Sequence, residues 1–200
     1  MPPPAADSRR ADRRALRASD ADDVTLLARV RLRDLHGFER LFRSYQPRLR
    51  RFLEPMAGRP GIVDEVINDT MLLVWHRAEA YNHQSKVSTW IFAIAYRKAL
   101  QALRGEGVVA SADDDDEDPT PDPGPEQQVE RQQTRSALAR ALGALSFEHR
   151  AVVQLTYFHG LAVREVADIV ECPADTVKTR LFHARRRLRA MLAGELGDWQ

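Results

Sequence analysis

Residues 161–191 read LAVREVADIVECPADTVKTRLFHARRRLRAM, and the charge and the apolar spacing of this stretch demand different partners. At about 100° of turn per residue, Val177, Leu181, Ala184 and Leu188 fall in one narrow stripe that must be buried against protein. Asp175, Thr179, Phe182 and Arg186 lie roughly opposite that stripe. Lys178, Arg185 and Arg189 occupy one flank, and Thr176, Arg180, His183 and Arg187 the other. The pattern predicts a helix clamped from behind and basic in front. Before it runs a shorter apolar-periodic segment, Val163, Val166, Ala167, Ile169 and Val170, followed by Glu171-Cys172-Pro173-Ala174. Pro173 cannot continue the first helix but suits the start of a second, and Asp175 or Thr176 can accept backbone N–H bonds there. Helix, short turn and basic helix make the helix-turn-helix plan, whose second helix enters the DNA major groove. The plainer alternative is a surface helix with solvated arginines.

The rest of the chain is helical by pattern, with three stretches that are not. Its 200 residues and 44% hydrophobic content suffice for one domain or two small ones. The net charge of +1 conceals a segregation, with acid gathered at Asp113 to Asp118 and base at the N-terminus and in the last helix, so the local fields matter more than the sum. Cys172 is the sole cysteine, which precludes an internal disulfide, and no CxxC or paired His/Cys spacing points to a metal. No apolar run approaches ~20 residues and the Arg-rich start lacks a signal-peptide core, so a cytoplasmic protein with no membrane insertion of its own is expected.

Residues 1–20, with three prolines and five arginines, read as a disordered tail, either a solubilising extension or a weak nucleic-acid contact. From Asp23 to Arg104 the pattern turns helical, interrupted by Pro47, Pro55 and Pro60. Leu26, Leu27 and Val30 predict a short helix; Phe38, Leu41, Phe42, Tyr45, Leu49, Phe52 and Leu53 a longer one. Gly58 to Gly61 marks a turn. A third helix turns Val63, Val66, Ile67, Thr70, Met71 and Val74 inward and leaves Asp64, Glu65, Asn68, Asp69 and Leu72 on its other faces. The polar loop Tyr81 to Ser88 then precedes a fourth helix, which Ser88 or Thr89 can cap. A polar loop beside an aromatic and basic helix has the chemistry that unpaired nucleic acid requires, since aromatic faces stack on bases while Arg and Lys hold phosphates. Trp90 and Tyr96 equally suit a core, Trp90 more so. Gly105 to Pro125, with six consecutive acids and four prolines, reads as a linker. Extended, it could span roughly 70 Å, about two turns of DNA at ~34 Å each. The helical pattern resumes at Glu126, and SFEHRAVVQLTYFHG reads as a helix capped by Ser146 and stopped by Gly160, completing a four-helix domain with the helix-turn-helix. The expected fold is all-α: a domain over 21–104, a flexible linker over 105–125 and a second domain over 126–195.

The succession GFERLFRSYQPRLRRF, DEVINDTMLLVWHRAEAY, SKVSTWIFAIAYRKALQALR, an acidic linker and LSFEHRAVVQLTYFHGLAVREVADIVECPADTVKTRLFHARRRL resembles the extracytoplasmic-function (ECF) group of sigma-70 RNA polymerase sigma factors over residues 22–192. The resemblance implies a protein that directs core polymerase to promoters. Asp64, Glu65, Asn68 and Asp69 would dock on the clamp helices of the β′ subunit, with the β flap as a second polymerase contact. Asn82, His83, Gln84, Ser85, Lys86 and Ser88, with Trp90, Tyr96, Arg97 and Lys98, would read and melt the -10 element of promoter DNA. Thr176, Lys178, Thr179, Arg180, His183 and Arg186 would read the -35 element. An anti-sigma factor that covers these surfaces is implied as well. The chain departs from the family pattern at Arg97, at Glu171 and Asp175, where glycine is common, and at His183, where arginine is common. Two other classes compete. A stand-alone helix-turn-helix regulator leaves residues 22–104 without a purpose. An enzyme would need a nucleophile-base-orienter set, a metal spacing or a phosphate loop, none of which occurs, so no catalytic residue and no cofactor is expected.

Overall fold

The computed structural model of the chain describes residues 21–57, 60–105 and 137–197. The tail over 1–20 and the linker over 105–125 anticipated from composition lie outside the described residues, apart from Gly105 itself. Everything regular among the described residues is helical, as the apolar periods require.

The first unit holds α1 (21–31), α2 (Leu35–Ala57), α3 (Pro60–Arg77), a 3-10 turn (Ala78–Ala80) and α4 (Val87–Gly105). Helix α1 ends where Arg33 takes a left-handed φ of 61°. Asp34 then opens α2, its Oδ1 accepting the N–H groups of His36 at 2.9 Å and Gly37 at 3.2 Å. Arg29 bonds the same carboxylate at 2.6 Å and holds it below the usual carboxylate range. The two helices cross so closely that a Cβ on Gly37 would lie 2.8 Å from the Cβ of Arg29, which leaves glycine as the residue that fits. Farther in, the phenol of the fully buried Tyr45 donates to Asp23 at 2.5 Å, and the Arg48 guanidinium sits 4.5 Å from the Tyr45 ring centroid. Arg48 also lies 3.7 Å from the Asp23 carboxylate, so this buried charge is partnered, as burial of a carboxylate demands.

Three expectations do not hold. Pro47 and Pro55 do not interrupt α2, which runs through both. An interior proline costs ~3 kcal/mol, but Leu41, Tyr45, Leu49, Phe52, Leu53 and Met56 form one buried stripe along the helix. At ~1.5–3 kcal/mol per buried large side chain, that stripe outweighs the two prolines. Likewise α3 begins at Pro60, so Pro60 and Gly61 belong to its first turn rather than to a loop. Helix α4 starts at Val87, one residue before the expected cap, and Ser88 and Thr89 lie buried inside its first turn.

The second unit holds α5 (described from 137 to 143), α6 (Phe147–Val153), α7 (Val163–Val170) and α8 (Ala174–Gly197). Ser146 caps α6, its hydroxyl accepting the His149 N–H at 3.4 Å. The β-branched and aromatic run after Val153 stays helical but widens into one π turn, Gln154–Phe158, and Gly160 stops it at φ 65°. The Glu165 carboxylate accepts the Ala162 N–H at 2.8 Å and fixes the start of α7. Its end is Glu171, at φ 54° and ψ 48°. Asp175 lies in the first turn of α8, where its carboxylate bonds the Lys178 ammonium at 2.8 Å.

The two units share one hydrophobic core. Helix α4 lies along α7 and α2 meets α6. Arg150 ties the junction: its guanidinium donates to the Pro55 carbonyl at 2.8 Å, to the Leu145 carbonyl at 2.7 Å and to the Gly143 carbonyl. The imidazole of His159 packs 6.0 Å from the Phe52 ring and 5.0 Å from the Phe92 ring, centroid to centroid.

Candidate nucleic-acid interface

Three polar surfaces stand on this frame. The first is the outer face of α3. Val63, Val66, Ile67, Thr70, Met71 and Val74 are buried as their spacing predicts, so Asp64, Glu65 and Asn68 point to solvent. The four polar positions are not equivalent. Asp64 accepts from Arg50, and Asp69, half-buried, bonds the Lys98 ammonium at 2.9 Å, while Glu65 and Asn68 face outward. Leu72 continues this face one turn on, 55% exposed. Sequence reading placed it off the apolar side but gave it no role; its signal was an apolar residue within an otherwise polar stripe.

The second surface is the loop before α4. It is a small, self-bonded structure. The Tyr81 hydroxyl donates to the Ser85 carbonyl at 2.6 Å, and the Asn82 side-chain oxygen accepts the Gln84 N–H at 3.1 Å. His83 takes a left-handed φ of 60° with its ring 4.6 Å from that of Tyr81, and Tyr81 in turn lies 5.6 Å from Trp90. Asn82, His83, Gln84 and Lys86 are exposed, Ser85 and Trp90 half-buried. Ser88 and Tyr96 are only 3% and 5% exposed. The Tyr96 ring faces Phe147 of the second unit at 5.4 Å, and burial, with Glu148 nearby, pushes its phenol up to about 12. Arg97 bonds Glu171, and Lys86 bonds Glu165 at 3.0 Å. Arg97 and Glu171 are thus each other's partners across the two units. A cleft of about 510 Å³ runs between this loop and α7, lined among others by Tyr81, His83, Lys86, Thr89, Glu165 and Asp168.

The third surface is α8. Val177, Leu181 and Ala184 are buried and Leu188 half-buried, while Asp175, Lys178, Thr179, Phe182, His183, Arg185, Arg186, Arg187 and Arg189 are exposed. Phe182, 58% exposed, stands among these cations. Thr176 and Arg180 are half-buried, and the Arg180 guanidinium reaches back to the Cys172 thiol at 3.9 Å. Arg186 therefore projects more freely than Arg180. Among the described residues no group of His, Cys, Asp and Glu could hold a metal, and no helix is long and apolar enough to cross a membrane.

An all-α chain with a polar face on α3, a bonded polar loop before α4 and a basic helix after a tight turn defines a two-unit nucleic-acid-binding protein. Comparison with known proteins identifies its family. Residues 41–108 match the model for Sigma-70 region 2, and residues 135–188 match that for Sigma-70, region 4. The ECF RNA polymerase sigma factor RpoE of Cereibacter sphaeroides is 30% identical over 174 residues, 86% of this chain and 96% of that protein. SigL of Mycobacterium tuberculosis, also an ECF RNA polymerase sigma factor, is 29% identical over 161 residues, 78% of this chain and 89% of the relative. The chain belongs to the ECF subfamily of sigma-70 factors, DNA-binding transcription initiation factors. The fold is that of CnrH, solved in complex with the cytosolic domain of CnrY, at a TM-score of 0.65 with 22% identity, covering 86% of this chain and 98% of that one. It is also that of the sigma factor RpoE of Bartonella quintana, solved with the anti-sigma factor NepR, at 0.60 with 20% identity, covering 79% of this chain and 98% of that one.

Proposed function

We propose that the chain carries out promoter selection for core RNA polymerase in the cytoplasm, with no chemistry of its own, through three separate surfaces. Glu65, Asn68 and Leu72 on α3, flanked by Asp64 and Asp69, dock on the clamp helices of the β′ subunit; the second unit meets the β flap. The loop from Asn82 to Ser88, with Trp90, Tyr96, Arg97 and Lys98, captures the unstacked -10 strand. Opening a duplex costs a few kcal/mol per extruded base; stacking returns ~1 to 3 kcal/mol for each base captured. Lys178, Thr179, Arg186 and His183 on α8, with Thr176 and Arg180 at its flank, read the -35 element in the major groove. The observation that carries the reading is the division of α8 into a buried apolar stripe and an exposed basic face. CnrH is solved with the cytosolic domain of CnrY and the Bartonella quintana RpoE with an anti-sigma factor; a cognate anti-sigma factor for this chain is part of the proposal.

Binding to core polymerase tests the dock. Because Asp69 also holds Lys98, reversing its charge would disturb α4, and the cleaner variant is Glu65→Lys with Leu72→Ala. A loss of affinity for core of at least ten-fold with an unchanged helical circular dichroism spectrum is expected. Unaltered affinity would move the dock away from α3.

A further inference from the structure

Resting on the -10 reading given to the loop before α4, we propose that Tyr81 is the positioning residue that sets base selectivity there. It touches no base; its ring and its hydroxyl hold Asn82, His83 and Gln84 in the shape that reads one. Tyr81 is only 5% exposed, whereas the three residues after it face solvent. Its hydroxyl donates across the loop to the Ser85 carbonyl at 2.6 Å. Its ring lies 4.6 Å from that of His83 at an interplanar angle of 60°, and 5.6 Å from that of Trp90 near the start of α4. The Trp90 N–H in turn bonds the Lys86 carbonyl at 3.1 Å, so the far end of the loop is tied to the helix that carries this ring contact.

What Tyr81 holds would not hold itself. His83 takes a φ of 60°, a left-handed backbone that side chains other than glycine seldom adopt without support. The Tyr81 ring is that support. Within the same turn the Asn82 side-chain oxygen accepts the Gln84 N–H at 3.1 Å. With this oxygen engaged, Asn82 offers a base its amide N–H groups, while the exposed Gln84 amide offers both a donor and an acceptor. The loop therefore presents a fixed pattern of donors and acceptors, and a fixed pattern is what separates the right base from a wrong one. A slack loop re-packs around any base, so loosening it costs selectivity before it costs capture. Loss of the Tyr81 hydroxyl loosens the loop without unfolding it: the half-buried Ser85 carbonyl passes to water, and the ring keeps its packing on Trp90.

The test is Tyr81→Phe in the full chain, with core polymerase, on promoter libraries randomised at the -10 element and, separately, at the -35 element. The transcript ratio between the best and the worst base at -10 should fall roughly five-fold or more, the order of one lost polar base contact. The -35 preference, the affinity for core polymerase and the circular dichroism spectrum should stay as in the wild type, while amide exchange over residues 82–86 becomes faster. A merely structural role would lower transcription from all promoters alike and leave the -10 ratio where it was. That uniform loss, or a wild-type -10 preference in Tyr81→Phe, overturns the proposal. The double variant Asn82→Ala/Gln84→Ala tests the reading underneath. A flattened -10 preference in it alone, with Tyr81→Phe unchanged, strikes out Tyr81 and keeps the loop; an intact preference in the double variant removes base reading from the loop altogether.

Discussion

Glu171 combines a strained backbone with an ion pair to Arg97 across the two units. With φ 54° and ψ 48° it sits in the left-handed region, where a side chain costs ~1 kcal/mol relative to glycine. Its bond to Arg97 offsets part of that cost only while the ions are unscreened. In 0.5 M salt, Glu171→Gly should therefore raise the unfolding free energy by about 0.5–1 kcal/mol in urea titration; equal or lower stability would mean that the turn is unstrained. His159 makes a different residue-scale prediction. Burial, with Arg51 and Arg48 adding to it, lowers its pKa to about 4, against an ordinary value of 6.5. The folded protein keeps this imidazole neutral while the unfolded chain protonates it, so its contribution is complete above pH 6.5 and is lost as the pH falls toward 4. Urea titrations of the wild type at pH 7 and pH 5 should differ by more than those of His159→Phe, which cannot titrate. An identical pH dependence in both proteins would remove His159 from the account.

At the scale of single elements, most of the structure was legible. The inward residues of α3 and the stripe of α8 follow from spacing alone, because one buried face per helix is what a period near 3.6 encodes. The Ser146 cap and the Gly160 stop follow from turn chemistry. Pro47 and Pro55 misled, since a local rule about proline was overridden by a buried stripe whose value depends on α3 and α4 being present. The same limit applies to Asp69 and Arg180. Their types suit the roles assigned to them, but their bonds to Lys98 and toward Cys172 belong to packing that spacing does not reveal. Helix α8 yields its own prediction. Arg186→Ala should weaken binding of promoter duplex to holoenzyme on all sequences alike and reduce the salt slope by about one unit if the contact is to phosphate. If instead it reads a guanine, discrimination at one base pair should fall by ~1–3 kcal/mol. Titrations at several salt concentrations distinguish these, and no change in either quantity would detach Arg186 from DNA.

The whole molecule is where sequence reading ended. Two units joined by an acidic linker were expected to act apart, and nothing in the apolar periods of α4 and α7 announced that they lie against each other. The signal was present only as an acidic residue, Glu171, at a tight turn and an arginine, Arg97, on α4 that turn out to pair. The central claim is that this chain gives core polymerase its promoter specificity. Run-off transcription by core polymerase on a randomised promoter library tests it most directly. Addition of the purified chain should select two sequence elements at a fixed spacing. Exchange of residues 82–88 for those of another ECF sigma factor should shift only the downstream element, leaving the upstream one with α8. Transcription no more selective than that of core alone, or a chimera that keeps both original preferences, would contradict the account.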